Sequence, residues 1–234
     1  MDDIRGFVSR QRLFGVVILP PMSENDALAR MLDEEGCRYV RMGSAVLDDP
    51  EHMVASNDRE AVAEAVRYLI AQGHRRIGLI AGPHGFRSAK ERRDGFELAL
   101  AEAGISLPRS LIADGQYTFE SGQSASESLF DLSPRPTAIF ASNDEMAAGV
   151  LYAARQRGIA VPEELSIIGF DDTPLTTRVW PPLSTVRWPI VAMGRAAALK
   201  LIGTAIGEGS EVNEPSMFSS TLIRRASVAP PASS

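Results

Sequence analysis

The chain has 234 residues, 44% of them hydrophobic, enough for one large core or two small ones, and it contains no long polar run of the kind that stays disordered. A net charge of −6 argues against a phosphate-binding surface, and the lone Cys37 excludes an intrachain disulfide, as suits a reducing cytosol. The N-terminus lacks an export signal and no apolar run approaches the ~20 residues that span a bilayer, so a soluble, cytoplasmic protein is expected.

In chain order, Ile4–Arg12 reads as a helix end and Phe14–Leu19 as a buried strand stopped by Pro20-Pro21. A helix over Asn25–Glu35 leaves through Gly36, and Tyr39–Met42 is a short strand. Asn57-Asp58-Arg59-Glu60 has capping-box spacing and opens a helix whose apolar face is Ala61, Val62, Ala65, Val66, Leu69 and Ile70, with Gly73 at its exit. A strand at Ile77–Ile80 follows, then a second capping box, Ser88–Glu91, opening a helix to about Ala103. The alternation continues with a strand Leu111–Ala113, a helix Ser121–Leu132, a strand Ala138–Ala141, a helix Glu145–Arg157 and a strand Leu165–Phe170. After an irregular stretch, Asp172–Pro182, come a strand Ser184–Arg187, a long helix Ile190–Ile206, a last strand Ser219–Arg225 and a tail from Pro230 to Ser234. This pattern predicts an α/β fold with parallel sheets flanked by helices. Two strands ahead of Asn57 are few for a doubly wound sheet, so the chain reads as starting inside a domain.

Open α/β sheets hold ligands outside the carboxyl ends of their strands. The segments there are Gly82–Arg87 with His84 and Phe86, Asp114–Tyr117, Ser142–Asp144, Asp171–Thr173 and Trp188. Polar forks beside aromatic plates suit a neutral, hydroxyl-rich ligand. Arg92 stands on an otherwise small or apolar stripe, Ala89, Phe96, Ala99 and Ala103, near a helix N-terminus that disfavours a cation. It is either a ligand contact or the partner of Asp144 or Asp171. Asn143 either caps the next helix or binds ligand, capping is favoured for Asp144, and Asp171-Asp172 offers hydrogen bonding or a turn. Tyr117 and Trp188 are core aromatics or pocket walls. His52, His74 and His84 have no metal-ligand spacing, and no P-loop, dinucleotide fingerprint or nucleophile elbow is present, so neither a cofactor, a metal nor an enzyme is expected.

Five segments together resemble the LacI/GalR transcription regulators: Leu69–Gly78 (LIAQGHRRIG), Ser88–Phe96 (SAKERRDGF), Ala141–Gly149 (ASNDEMAAG), Leu165–Asp172 with Pro181–Val186 (PPLSTV), and Met193-Gly194 with Ala196–Ala198. The resemblance implies two Rossmann-like lobes of the periplasmic-binding-protein-like I type, the N-terminal one incomplete. These are residues 1–73 with 189–213 and residues 74–188 with 214–229, followed by the tail, with an effector held between the lobes. It assigns effector binding to Arg92, Asn143 and Asp171, with Tyr117, Trp188, His84 and Phe86 lining the pocket. A sugar or sugar derivative is the expected effector, with a purine second. The resemblance also implies a cytoplasmic homodimer without cofactor, reading operator DNA only through a helix-turn-helix that this sequence lacks.

Two departures stand out. Asn57-Asp58 occupies a place where the family usually has the acidic residue first. The opening β-α-β is also missing, which leaves Phe14–Leu19 as a bare apolar edge and suggests a truncated chain or a misplaced start codon. The rival reading is an exported sugar-binding protein of a transporter. The Gly73–Arg76 and Pro181–Val186 segments favour the regulator.

Overall fold

The structure is a computed structural model that describes residues 2–11, 13–206 and 216–232. Along the chain run α1 (Asp2–Gln11), β1 (Val16–Ile18), α2 (Asp26–Glu34), β2 (Tyr39–Gly43), β3 (Met53–Ser56), α3 (Asp58–Ala71), β4 (Ile77–Ala81) and α4 (Arg87–Glu102). Then follow β5 (Ile112–Asp114), α5 (Phe119–Phe130), β6 (Ala138–Ala141), α6 (Asp144–Gln156), β7 (Ser166–Asp171), β8 (Ser184–Arg187), α7 (Ile190–Ile206), β9 (Met217–Phe218) and β10 (Thr221–Ile223). These elements form two units, Met1–Asn57 with Pro189–Ser219 and Asp58–Trp188 with Ser220–Ser234. The fold class is α/β, as expected.

In the second unit six strands pair in the order β10-β8-β7-β6-β4-β5, all parallel except the antiparallel β10. Side chains of a strand alternate between faces, and here they sort into two cores. Ile77, Leu79, Ala138, Phe140, Ile168 and Phe170 pack with α3 and α4, while Ile80, Ile139, Ala141 and Ile167 pack with α5 and α6. Nearly continuous apolar strands are what burial on both faces requires. The α3 and α4 helices approach closely because Gly95 has no side chain: a Cβ there would collide with the Arg59 carbonyl.

The first unit has a four-stranded parallel sheet in the order β1-β2-β3-β9. Val8, Ile18, Leu28, Met31, Leu32, Cys37 and Tyr39 form a core of α1, α2, β1 and β2, and α7 packs on β1, β2 and β3. Among the described residues nothing pairs with the outer side of β1, and Phe14, Val17 and Leu19 are exposed there, as the sequence suggested.

Several expectations are corrected. β3 was not foreseen, because Met53-Val54-Ala55-Ser56 has a single β-branched residue and no aromatic to mark it as a strand, although it is buried throughout. The strand expected over Ser219–Arg225 is the shorter β10, and ahead of it lies β9, which was not foreseen and pairs in the other sheet, with the unit boundary between Ser219 and Ser220. The α3 helix belongs to the second unit, since it packs on α4 and reaches β8 and β10, so the division falls after Asn57 rather than after residue 73. The expected division at 213/214 and the last two tail residues lie outside the described residues. Ser88 is not a helix cap: α4 starts a residue earlier after Phe86, which supplies no side-chain cap. A reciprocal capping box instead joins Thr118 and Ser121 at the start of α5.

Candidate functional site

From β4 the sheet grows in both directions, with β5 on one side and β6 on the other, so the connections diverge at their carboxyl ends. Ligands of doubly wound sheets bind at such a switch point. Arg92 reaches it from α4. Its Nε donates to Asp58 Oδ2 at 2.9 Å, Nη1 donates to the Ser142 carbonyl at 2.7 Å, and Nη2 stands 3.7 Å from Asp171 Oδ1. Its guanidinium lies 3.7 Å from the centre of the Phe170 ring and 5.8 Å from that of Tyr117. The Arg92 side chain is 8% exposed and that of Asp58 not at all. Arg92 is thus a buried ion-pair partner of Asp171, one of the two carboxylates offered from sequence, and at closer range of Asp58, which the sequence presented only as part of a capping box. The Asn57-Asp58 departure was the one signal that pointed there.

Asn143 is committed at both ends of its amide. Oδ1 accepts from the Met146 N–H at 3.0 Å and caps α6, and Nδ2 donates to the Tyr117 carbonyl at 2.9 Å. Asp144, fully buried, is not the cap favoured from sequence. It accepts from the Thr173 N–H at 2.7 Å, the Thr173 hydroxyl at 3.1 Å and the Thr185 hydroxyl at 2.5 Å, and so ties the turn after β7 to α6 and β8. Burial pushes its carboxyl up to about 6, with those hydrogen bonds opposing. Asp172 is also engaged, by Arg187 and Arg225, each at 2.6 Å.

Asp171 differs from its neighbours. Its side chain is 30% exposed, and among the described residues its one ion pair is the 3.7 Å approach of Arg92, beyond hydrogen-bond length. Burial lifts its carboxyl to about 7; Arg92 opposes this, while Asp144 and Asp58 add to it. Its backbone has φ 112°, that of Asp172 has φ 58° and that of Tyr117 has φ 61°. Three non-glycine residues in this costly region at one end of one sheet are the kind of strain that collects at functional sites.

Aromatic groups wall the same end. The Tyr117 ring lies over Gly82, where a Cβ would stand 2.5 Å from the ring, and its hydroxyl is 3.4 Å from that of Ser88. Phe86 faces Tyr117 with ring centres 6.2 Å apart. The Trp188 ring packs against the α3–α4 core, and the Trp188 backbone N–H donates to the Asp171 carbonyl at 3.3 Å. The structure therefore gathers Arg92, Asn143, Asp171, Tyr117, Trp188 and Phe86. His84 is 76% exposed and 3.5 Å from Asp114. With Gly82, Phe86, Lys90 and Arg93 it lines a hollow of about 300 Å³ along the loop after β4, which adjoins the aromatic wall through Gly82 and Phe86.

Asp48, Asp49 and His52 of the first unit offer atoms within 4.8 Å of one another, a grouping their spacing had not announced. His52 stacks on Tyr39 with ring centres 4.8 Å apart, and Asp48 accepts from the Tyr39 hydroxyl at 2.8 Å and stands 3.6 Å from Arg41, so the cluster is knit into the fold. No helix among the described residues is long and apolar enough to cross a membrane.

A switch-point site of hydrogen-bonding carboxylates and rings has the chemistry of a ligand-binding domain. Residues 66–228 match the periplasmic binding protein-like domain. The chain is 35% identical over 213 residues to the HTH-type transcriptional regulator CelR of Thermobifida fusca, which covers 90% of this chain and 62% of that protein. The chain thus spans less than two thirds of that relative's length. Among solved structures, a regulatory protein of the LacI family from Chloroflexus aggregans superposes with a TM-score of 0.85 at 35% identity, covering 97% of this chain and 81% of that one. A complex of the transcriptional regulator CelR with cellobiose also superposes with a TM-score of 0.85, at 32% identity, covering 97% of this chain and 69% of that one. The chain belongs to the LacI family, within its periplasmic binding protein-like domain.

Proposed function

We propose that this chain is the sensing domain of a LacI-type transcription regulator, taking a sugar or sugar derivative at the carboxyl end of the six-stranded sheet. Asp171 is the observation that carries this reading. Around it Asn143, Asp144 and Asp172 are held by hydrogen bonds and ion pairs within the protein. Asp171 keeps its acceptor oxygens for hydroxyl donors brought by a ligand. Phe86, Tyr117 and Trp188 supply apolar surface for the faces of a sugar ring. The relative solved with cellobiose supports this effector class, and the regulators among the relatives favour sensing over transport or turnover. Arg92 serves by holding Asp58, Tyr117 and Asp171 in place.

The sensed ligand acts by binding one arrangement of the regulator better than another. Such coupling to operator binding is reciprocal and typically worth ~1–3 kcal/mol. The operator is read by the helix-turn-helix part of such a regulator, in the cytoplasm, by a homodimer. A thermal-shift screen of monosaccharides and oligosaccharides tests the reading, because a ligand that binds only the folded state raises its melting temperature. Asp171→Ala should then weaken the best binder about tenfold or more, since a hydrogen bond to a charged group contributes ~1.5–3 kcal/mol. Unchanged affinity by calorimetry refutes the assignment.

A further inference from the structure

Resting on that reading of the site, we propose that Asp58 makes this end of the sheet electronegative, so that it accepts uncharged, hydroxyl-bearing sugars and rejects phosphorylated or carboxylated ones. An arginine in a sugar site ordinarily suggests an anionic ligand, because its planar fork matches phosphate and carboxylate. In this chain the fork is already committed on two of its nitrogens, Nε to Asp58 and Nη1 to the Ser142 carbonyl, while Nη2 stands 3.7 Å from Asp171, so its charge is shared with two carboxylates of the protein. The groups that act on Asp171 are then one guanidinium, Arg92, and two carboxylates, Asp144 and Asp58. A ligand anion arriving at Asp171 meets a surplus of negative charge in a partly dehydrated site, where repulsion is screened less than in water.

Nearby cations do not offset this. Arg187 and Arg225 are both drawn to Asp172 at 2.6 Å. On α4, Lys90 pairs with Asp94 at 2.6 Å and Arg93 with Glu97 at 2.7 Å, while Arg59 of α3 holds both Glu91 and Asp94. The Asn57-Asp58 order, a departure from the family pattern, acquires a physical meaning: it puts a carboxylate on the buried Arg92. Asp58 thus determines selectivity without touching the ligand.

The test compares the whole chain with its Asp58→Asn variant. Glucose, galactose, ribose and cellobiose are titrated beside glucose 6-phosphate, ribose 5-phosphate and glucuronate, by thermal shift and calorimetry. In the unmodified protein a phosphate or carboxylate should weaken binding about tenfold or more relative to the neutral parent. Asp58→Asn should narrow that gap, and its Asp171 carboxyl, followed by carbon NMR, should titrate lower by about one pH unit. A charged sugar that binds the unmodified protein as tightly as its neutral parent overturns the proposal, and so does an Asp171 titration that Asp58→Asn leaves in place. If no neutral sugar binds, the sugar reading of the function falls, while the Asp171 titrations still decide the charge assignment. If Asp58→Asn does not fold, the comparison of charged and neutral sugars on the unmodified protein decides alone.

Discussion

Replacing Arg92 with methionine keeps an unbranched side chain against the Phe170 ring and removes only the guanidinium. What remains is Asp58, wholly buried, and a Ser142 carbonyl that has lost one of its donors. An exposed ion pair contributes ~0–1 kcal/mol, but breaking a buried one by deleting a single partner costs ~3–5 kcal/mol, because the surviving charge has no solvent to turn to. The Arg92 and Asp58 side chains are 8% and 0% exposed, so the larger range applies. Against a typical domain stability of ~5–15 kcal/mol this is a large loss. It should appear in urea unfolding as a lower midpoint at unchanged slope. The double variant Arg92→Met/Asp58→Asn should recover at least about half of the loss, a coupling energy of about 1.5 kcal/mol or more. A cost below about 1 kcal/mol for Arg92→Met would show that the pair is not structural and return Arg92 to the role of a direct ligand contact.

The other predictions concern titration and packing. Hydroxyl donors of a ligand need an ionised acceptor, so with Asp171 at about 7 effector affinity should rise between about pH 6 and 8. The same raised carboxyl stabilises the fold below its unfolded value of about 3.9 and loses that contribution as pH climbs through about 7. Asp171→Asn should therefore flatten the decline of the urea midpoint over that range, and an unaltered pH profile would contradict the assignment. His74 works in the opposite sense. Buried between Thr137, Ser166 and the Ala229 carbonyl, it is held below its usual pKa, so its contribution is present above about pH 6.5 and lost as pH falls below that. His74→Ala should speed hydrogen exchange at Ser227 and Ala229, and equal rates would rule out a role in anchoring that segment. Gly95→Ala forces a methyl group into the Arg59 carbonyl and should cost ~1–3 kcal/mol in thermal melts.

What the sequence disclosed and what it withheld have physical reasons. The strands ending at Ala81, Ala141 and Asp171 were legible because burial on both faces demands unbroken apolar runs, and the polar residues that follow those runs marked the end of the sheet where Arg92, Asn143 and Asp171 meet. Asp58 was hidden because a carboxylate in the first turn of a helix is ordinary in itself, and only folding brings it to an arginine 34 residues away. Asp144 was misjudged for a similar reason: its position suits a cap, but Asn143 already fills that role and the partners of Asp144 lie on β8 and the turn after β7. The left-handed backbones of Tyr117, Asp171 and Asp172 are imposed by tertiary contacts and leave no trace in residue type. β3 was missed because Met53–Ser56 holds only one β-branched residue, and β9 because two residues are too few for any periodicity to show.

The pairing of β3 with β9 sets an order of events during synthesis. Ala55 cannot meet Met217 until the whole of Asp58–Trp188 has left the ribosome, and α7, which packs over β1–β3, emerges only just before β9. The six-stranded unit, drawn mostly from one unbroken stretch, can collapse while translation is still running. The four-stranded unit must wait with β3 uncovered, and a message cut short before Ile190 would release the second sheet lacking only β10, tethered to an adhesive, unfinished one.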